Sequence, residues 1–225
     1  MFSVETMLVA GILIIFSLFS LYKRLLDISG VVFALAVGLI SYLKGGLAAF
    51  ALLVLIYAIA ELTTKVSKSK GNFHDRRDIW NIFGNTVPAI IALLAGNVIG
   101  FFGAASSALA DTVSSEVGML SKEKPIMITT LKHAPKGTDG AITFLGLFAG
   151  LVAAGFVGLV YYFAIQLSMK MLLLVIFSGV FGTLLDSVLG ALLQGRGILD
   201  NNQVNFAANC AAGLFAIIVS TLIFM

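Results

Sequence analysis

The sequence predicts an all-α, polytopic transmembrane helix bundle of about eight spans, with seven as the alternative and the N-terminus outside. Residues of the class AVILMFWYC make up 60% of the 225, while DEKR residues make up 11%, against roughly a quarter in a soluble domain. The apolar residues fall in blocks separated by short polar stretches, and the mean hydropathy is +1.07, as bilayer-spanning helices require. Basic residues sort by side, as shown below. A single membrane-embedded domain, 1–225, accounts for all three observations.

The first apolar run, Met7 to Tyr22, has no basic residue before it and no small-x-small site after it. It reads as a retained span and not as a signal peptide. Ile28 to Leu43 and Leu47 to Leu62 follow, then Ile79 to Ala95. The fifth run, Val98 to Ala110, is thirteen residues long, short of the ~20 that a span prefers. It fits either a crossing or a re-entrant helix shielded by protein. Ala141 to Gln166, Met171 to Leu189 and Val204 to Met225 complete the set.

Basic residues stay on the cytoplasmic side of membrane proteins. With eight crossings and the N-terminus outside, the cytoplasmic segments hold Lys23, Arg24, Lys65, Lys68, Lys70, Arg76, Arg77, Lys122, Lys124, Lys132, Lys136 and Arg196, leaving Lys44 and Lys170 outside. If the fifth run did not cross, the lysines from Lys122 to Lys136 would fall on the far side. Two cytoplasmic loops result. The first, 63–78, is basic and suits anionic headgroups, at about 1 kcal/mol per basic residue. The second, 111–140, carries candidate phosphate-binding residues.

Several classes are disfavoured. Cys210 stands alone in an apolar run, so it forms no intramolecular disulfide and reads as packing. The basic residues lack the aromatic interleaving of a nucleic-acid groove. His74 and His133 have no metal-ligand spacing, and neither a Ser-His-Asp arrangement nor a zinc pattern is present. The sequence is silent on oligomeric state.

Acidic residues within spans cost about 2.5 to 3.5 kcal/mol at a helix centre and need a partner, a cation or water. Asp111 ends the run FFGAASSALAD and Asp186 ends FSGVFGTLLD. In both, small residues lead in and a hydroxyl residue follows. Asn81 and Asn85 are at i,i+4 spacing, as are Asn205 and Asn209. All sit at cytoplasmic helix ends on this topology. Two carboxylates with hydroxyl and amide oxygens describe a hard-cation site, and magnesium held by one or two carboxylates completes its shell with substrate phosphates. The alternative is helix-to-helix hydrogen bonding by Asn, Ser and Thr. Glu116 lies roughly 140 degrees around an ideal helix from Asp111, so both serve one site only if the helix ends or bends between them. Further on, Thr129, Thr130, Lys132, Lys136, Gly137, Thr138 and Gly140 have the composition of a phosphate cradle. No Walker A or GxGxxG pattern is present.

The strings RDIWNIFGN, ADTVSSEVG, ITTLKHAPKGTDGAIT, LLDSVLGALLQ and DNNQVNF resemble, in order and spacing, the membrane family that contains phytyl-phosphate kinase and transmembrane protein 19. The resemblance covers roughly Arg76 to Asn209. It implies an enzyme that adds a phosphate, from CTP as donor, to an isoprenoid monophosphate such as phytyl or geranylgeranyl phosphate. The family's glycine pair in the GT-x-GG segment is here Gly137, Thr138, Asp139, Gly140 and Ala141, a departure that touches the anion-binding geometry.

The expected mechanism is phosphoryl transfer to a prenyl monophosphate whose tail lies between helices while its headgroup meets the nucleotide at the cytoplasmic face. Asp111, Asp186 and Lys132 are the catalytic candidates, and Asp111, Glu116 and Asp186 the candidate magnesium ligands. Arg77, Asn81, Asn85, Thr130, Lys136, Gly137, Thr138 and Asn205 are candidates for binding phosphate groups. Cytidylyl transfer to a lipid phosphate and a transporter are the alternatives, the latter disfavoured because the charged groups cluster at helix ends and not at mid-membrane.

Overall fold

A computed structural model of the chain describes residues 3–23, 26–69 and 79–224. Seven α-helices run through them: α1 Val4–Tyr22, α2 Ile28–Ser69, α3 Ile79–Leu94, α4 Val98–Gly118, α5 Phe144–Ala164, α6 Met169–Leu192 and α7 Asn201–Phe224. Two short strands, β1 Ile126–Met127 and β2 Ala141–Ile142, pair antiparallel between α4 and α5, and a 3-10 turn covers Gln194–Arg196.

α2 is two antiparallel arms. Gly46 adopts φ 69° and ψ −169°, a conformation open to glycine and strained for other residues. A Cβ placed on Gly38 would lie 3.4 Å from the ring of Phe50. Twelve residues of straight helix would separate the two by about 18 Å, so the chain doubles back. Counted as arms, the helices make eight rods in the order of the eight expected spans.

α1 packs along the hairpin, with Thr6 Oγ1 3.0 Å from the Tyr42 hydroxyl and Phe16 edge-on to Tyr57. Asp27 caps the first arm: its Oδ1 accepts from the Gly30 amide at 2.7 Å and its Oδ2 from Ser29 at 2.8 Å. These bonds hold its carboxyl below the ordinary value of 3.8. The cap therefore stabilises above that value and loses its effect as pH falls through the lowered one. Asp27→Ala is expected to lower the thermal midpoint in detergent at neutral pH. The difference from wild type should vanish on strong acidification; a difference independent of pH would sink this account.

Among the described residues, five helices are long and apolar enough to cross a membrane by themselves, namely α1, α2, α5, α6 and α7. α4 is not among them, yet it is the centre of the bundle and touches α2, α3, α5, α6 and α7. Every residue from Gly100 to Ala110 is buried. A helix enclosed by protein can carry serines and an aspartate that lipid would exclude. The fifth apolar run thus belongs to one continuous helix of 21 residues, Val98–Gly118.

The helices also outrun the apolar blocks. α2 continues to Ser69 and α4 to Gly118, so the first seven residues of the expected loop 63–78 and the first eight of 111–140 are helical. Nothing in Thr-Thr-Lys or Asp-Thr-Val breaks a helix; only the apolar character stops there. The end of α2, the start of α3 and residues 119–143 and 193–200 gather at one end of the bundle, called here the polar face.

Candidate functional site at the polar face

Close helix approaches set the site. α4 and α6 run parallel and meet where a Cβ on Gly182 would lie 2.0 Å from Ser107 Oγ, and one on Gly179 2.3 Å from Ser106 Oγ. α7 runs antiparallel to α4. Ser107 donates to Asn209 Oδ1 at 2.6 Å, and the Asn209 amide donates to the Gly84 carbonyl at 3.3 Å and to Asn85 Oδ1 at 3.5 Å. Four helices are thereby joined at one level by Ser107, Gly182, Asn209 and Asn85.

One helical turn, about 5.4 Å, nearer the polar face lies the next level. Four residues beyond Ser107 comes Asp111; four beyond Gly182 comes Asp186; four before Asn209 comes Asn205; four before Asn85 comes Asn81. The residues singled out on four separate helices thus converge on one layer. Asn205 is buried there. Asp111 and Asp139 each lie near enough to Asp186 for their charges to act on it. Asp186 Oδ2 is buried without a hydrogen-bond partner, and no described lysine or arginine is paired with Asp111 or Asp186.

The loop over this layer is pinned to α6. Gly140 has φ 77°, and a Cβ there would stand 2.4 Å from the Ser187 carbonyl oxygen and 2.6 Å from the Ala191 nitrogen. The backbone at 139–140 therefore lies flat on the helix one turn past Asp186. Asp139 Oδ1 accepts from Gln194 Nε2 at 2.8 Å, and burial raises its carboxyl above the ordinary aspartate value.

Other expected site residues stand apart from the layer. Glu116 Oε1 accepts from Thr64 on the second arm of α2 at 2.7 Å. Because α4 continues unbroken past Asp111, Glu116 looks away from Asp186. The Lys136 ammonium donates to the carbonyls of Met119 and Ser121, where unpaired carbonyls end α4 and a cation is favoured. Thr138 turns its hydroxyl to Pro135 O at 2.9 Å, and Gly137 has φ 80°, so both shape the turn. Thr130 and Lys132 are exposed at the tip of a hairpin closed by Met127 N to Lys132 O at 2.9 Å. Arg77, Arg76 and His74 lie outside the described residues. Asp139 was not among the expected site residues; as a carboxylate in the polar loop GTDG it carries nothing in the sequence that marks it.

The fit to a divalent cation follows from these atoms. A buried, unbonded carboxylate oxygen next to a second carboxylate suits a hard cation. Among the described residues no group of three or more His, Cys, Asp or Glu side chains is set to enclose one. Such a pair suits magnesium, which keeps positions for water and substrate phosphates.

A family model described as integral membrane protein DUF92 matches residues 11–213. An uncharacterized membrane protein of Methanocaldococcus jannaschii is 35% identical over 207 residues, covering 88% of this chain and 87% of that one. Protein PGR of Arabidopsis thaliana is 34% identical over 169 residues, 60% of this chain and 58% of its own. The chloroplastic protein VTE6 of Arabidopsis thaliana is 29% identical over 238 residues, 96% of this chain and 72% of its own. No solved structure matches.

Proposed function

Because the chain belongs to the integral membrane protein family DUF92, the family whose members its motifs resemble, we propose that it is a membrane kinase acting on an isoprenoid monophosphate. The observation that carries this reading is the convergence of Asp111 and Asp186 on one layer, with Asp186 Oδ2 buried and unbonded. The donor is a nucleoside triphosphate, CTP by the family resemblance, and the site faces the cytoplasm by the charge asymmetry of the loops.

In the reaction an oxygen of the prenyl phosphate attacks the γ-phosphorus of the nucleotide. The bond from that phosphorus to the β–γ bridging oxygen breaks, and the products are a prenyl diphosphate and a nucleoside diphosphate. The acceptor oxygen is already ionised near neutral pH, so no general base is required. Catalysis is positioning and charge stabilisation. Asp111 and Asp186 would hold magnesium, which when bound supplies neutralisation of the phosphate oxygens. The amides of Asn81 and Asn205, on the same layer, donate to phosphate oxygens and fix the acceptor. Asp139 and Gln194 keep the covering loop seated and water restricted, and Lys132 at the hairpin tip engages the incoming nucleotide.

Purified protein with γ-labelled CTP and geranylgeranyl phosphate tests the proposal. Label in the lipid supports the kinase; label in pyrophosphate means cytidylyl transfer instead. Uptake into proteoliposomes without nucleotide consumption would mean a transporter. For Lys132→Ala, the expected result is a KM for nucleotide raised about tenfold with kcat held, the worth of one charged hydrogen bond. An unchanged KM for both substrates would remove Lys132 from the site.

A further inference from the structure

A separate cavity lies between α1, the two arms of α2, α3 and α4. Along most of its length the walls are apolar, and small residues such as Ala34, Ala105 and Ala108 line it. Its polar side chains come mainly from α3 and α4, at Asn81, Asn85, Thr86 and Thr112. That end adjoins the reactive layer, since Asn81 belongs to it, Asn85 meets Asn209, and Thr112 follows Asp111 in α4. Phe50 and Ala60 both line the cavity on one arm of α2, so it runs about 15 Å along the bundle at 1.5 Å per residue. Leu13, Gly38 and Phe50 line its far end, where a Cβ on Gly38 would meet Leu13 Cδ2 at 2.7 Å and the Phe50 ring at 3.4 Å.

Resting on the kinase reading, we infer that this cavity holds the single isoprenoid tail of the acceptor, with Gly38 and Leu13 setting the chain length it takes. The shape is one slot with one polar end, which matches one apolar chain ending in a phosphate. A diacyl phospholipid presents two chains and would need a second channel. Isoprenoid methyl branches pack against alanines and glycine, where bulkier walls would leave room for a straight chain only. The amides at the polar end donate to the phosphate and stop the tail from carrying it deeper.

The probe is a geranylgeranyl phosphate bearing a diazirine at its ω end, photolysed with the full chain in nanodiscs without nucleotide. Crosslinks are expected on the α1 and α2 segments around Leu13, Gly38 and Phe50, displaced by excess geranylgeranyl phosphate and not by phosphatidic acid. Crosslinks on the outward-facing Phe177 or Leu214, or equal displacement by phosphatidic acid, would overturn the inference. Gly38→Leu should raise the ratio of geranylgeranyl to farnesyl phosphate needed for displacement by about tenfold, the scale set by a methylene or two in an apolar pocket. Leu13→Ala, which widens the same end, should lower that ratio. A ratio unmoved in both variants also overturns it. Because labelling needs no turnover, displaceable labelling in the cavity with no phosphate transferred would support the tail site while ending the kinase reading.

Discussion

Replacing Asp111 or Asp186 by asparagine is expected to reduce turnover about 10³-fold while the protein still inserts and purifies with an unchanged or higher thermal midpoint. The fall is the scale seen when one preorganised electrostatic group leaves an active site. The direction of the stability change follows from the surroundings. No described cation is paired with either carboxylate, and the charges of Asp111 and Asp139 both act on Asp186. An isosteric amide removes one of several like charges from a buried layer, which relieves repulsion instead of orphaning a partner. Chelation of divalent ions should abolish wild-type turnover, and added magnesium should restore it. Wild-type turnover in either variant would remove that carboxylate from the chemistry. A midpoint that drops with activity would make it a structural residue.

Gly140→Ala is expected to lower turnover about 100-fold by unseating the loop, with the helices intact. The φ of 77° costs a non-glycine residue about 1–3 kcal/mol. The added Cβ also meets the Ser187 carbonyl oxygen at 2.4 Å and the Ala191 nitrogen at 2.6 Å, and helix backbone cannot step aside as a side chain can. Together these exceed the ~2.7 kcal/mol of a 100-fold effect. Gly137→Ala is the control, with φ 80° but only Met119 Cε at 4.0 Å, so strain acts there without the collision and the loss should be smaller. Hydrogen exchange across residues 126–142 reads the docking directly. Retained protection and turnover in Gly140→Ala would show that the loop can sit elsewhere.

The bundle was legible because lipid imposes hydrophobic blocks, and the eight blocks correspond to eight rods once α2 is seen to reverse at Gly46. The two aspartates stood out for the same reason, being costly where they are. Helix ends were not legible at Thr63 or Asp111, because loss of hydrophobicity marks where lipid contact stops and not where the backbone unwinds. Glu116 shows the consequence: its angle from Asp111 could be computed, but its partner Thr64, 52 positions away, needed the fold. Lys136 had the right chemistry for a phosphate, and only packing revealed that its ammonium faces the end of α4. Asp139 was hidden because a carboxylate in a polar loop carries no anomaly; its neighbourhood with Asp186 arises from a glycine pressed onto α6.

The enclosure of α4 bears on how the chain is made. A segment carrying Ser106, Ser107 and Asp111 gains little by leaving the translocation machinery alone, since three of its five helix neighbours, α5, α6 and α7, are synthesised after it. Its burial is therefore complete only once those later segments have joined α2 and α3 around it. The layer of Asp111, Asp186, Asn81 and Asn205 likewise draws on α7, so it is complete only when the last helix arrives.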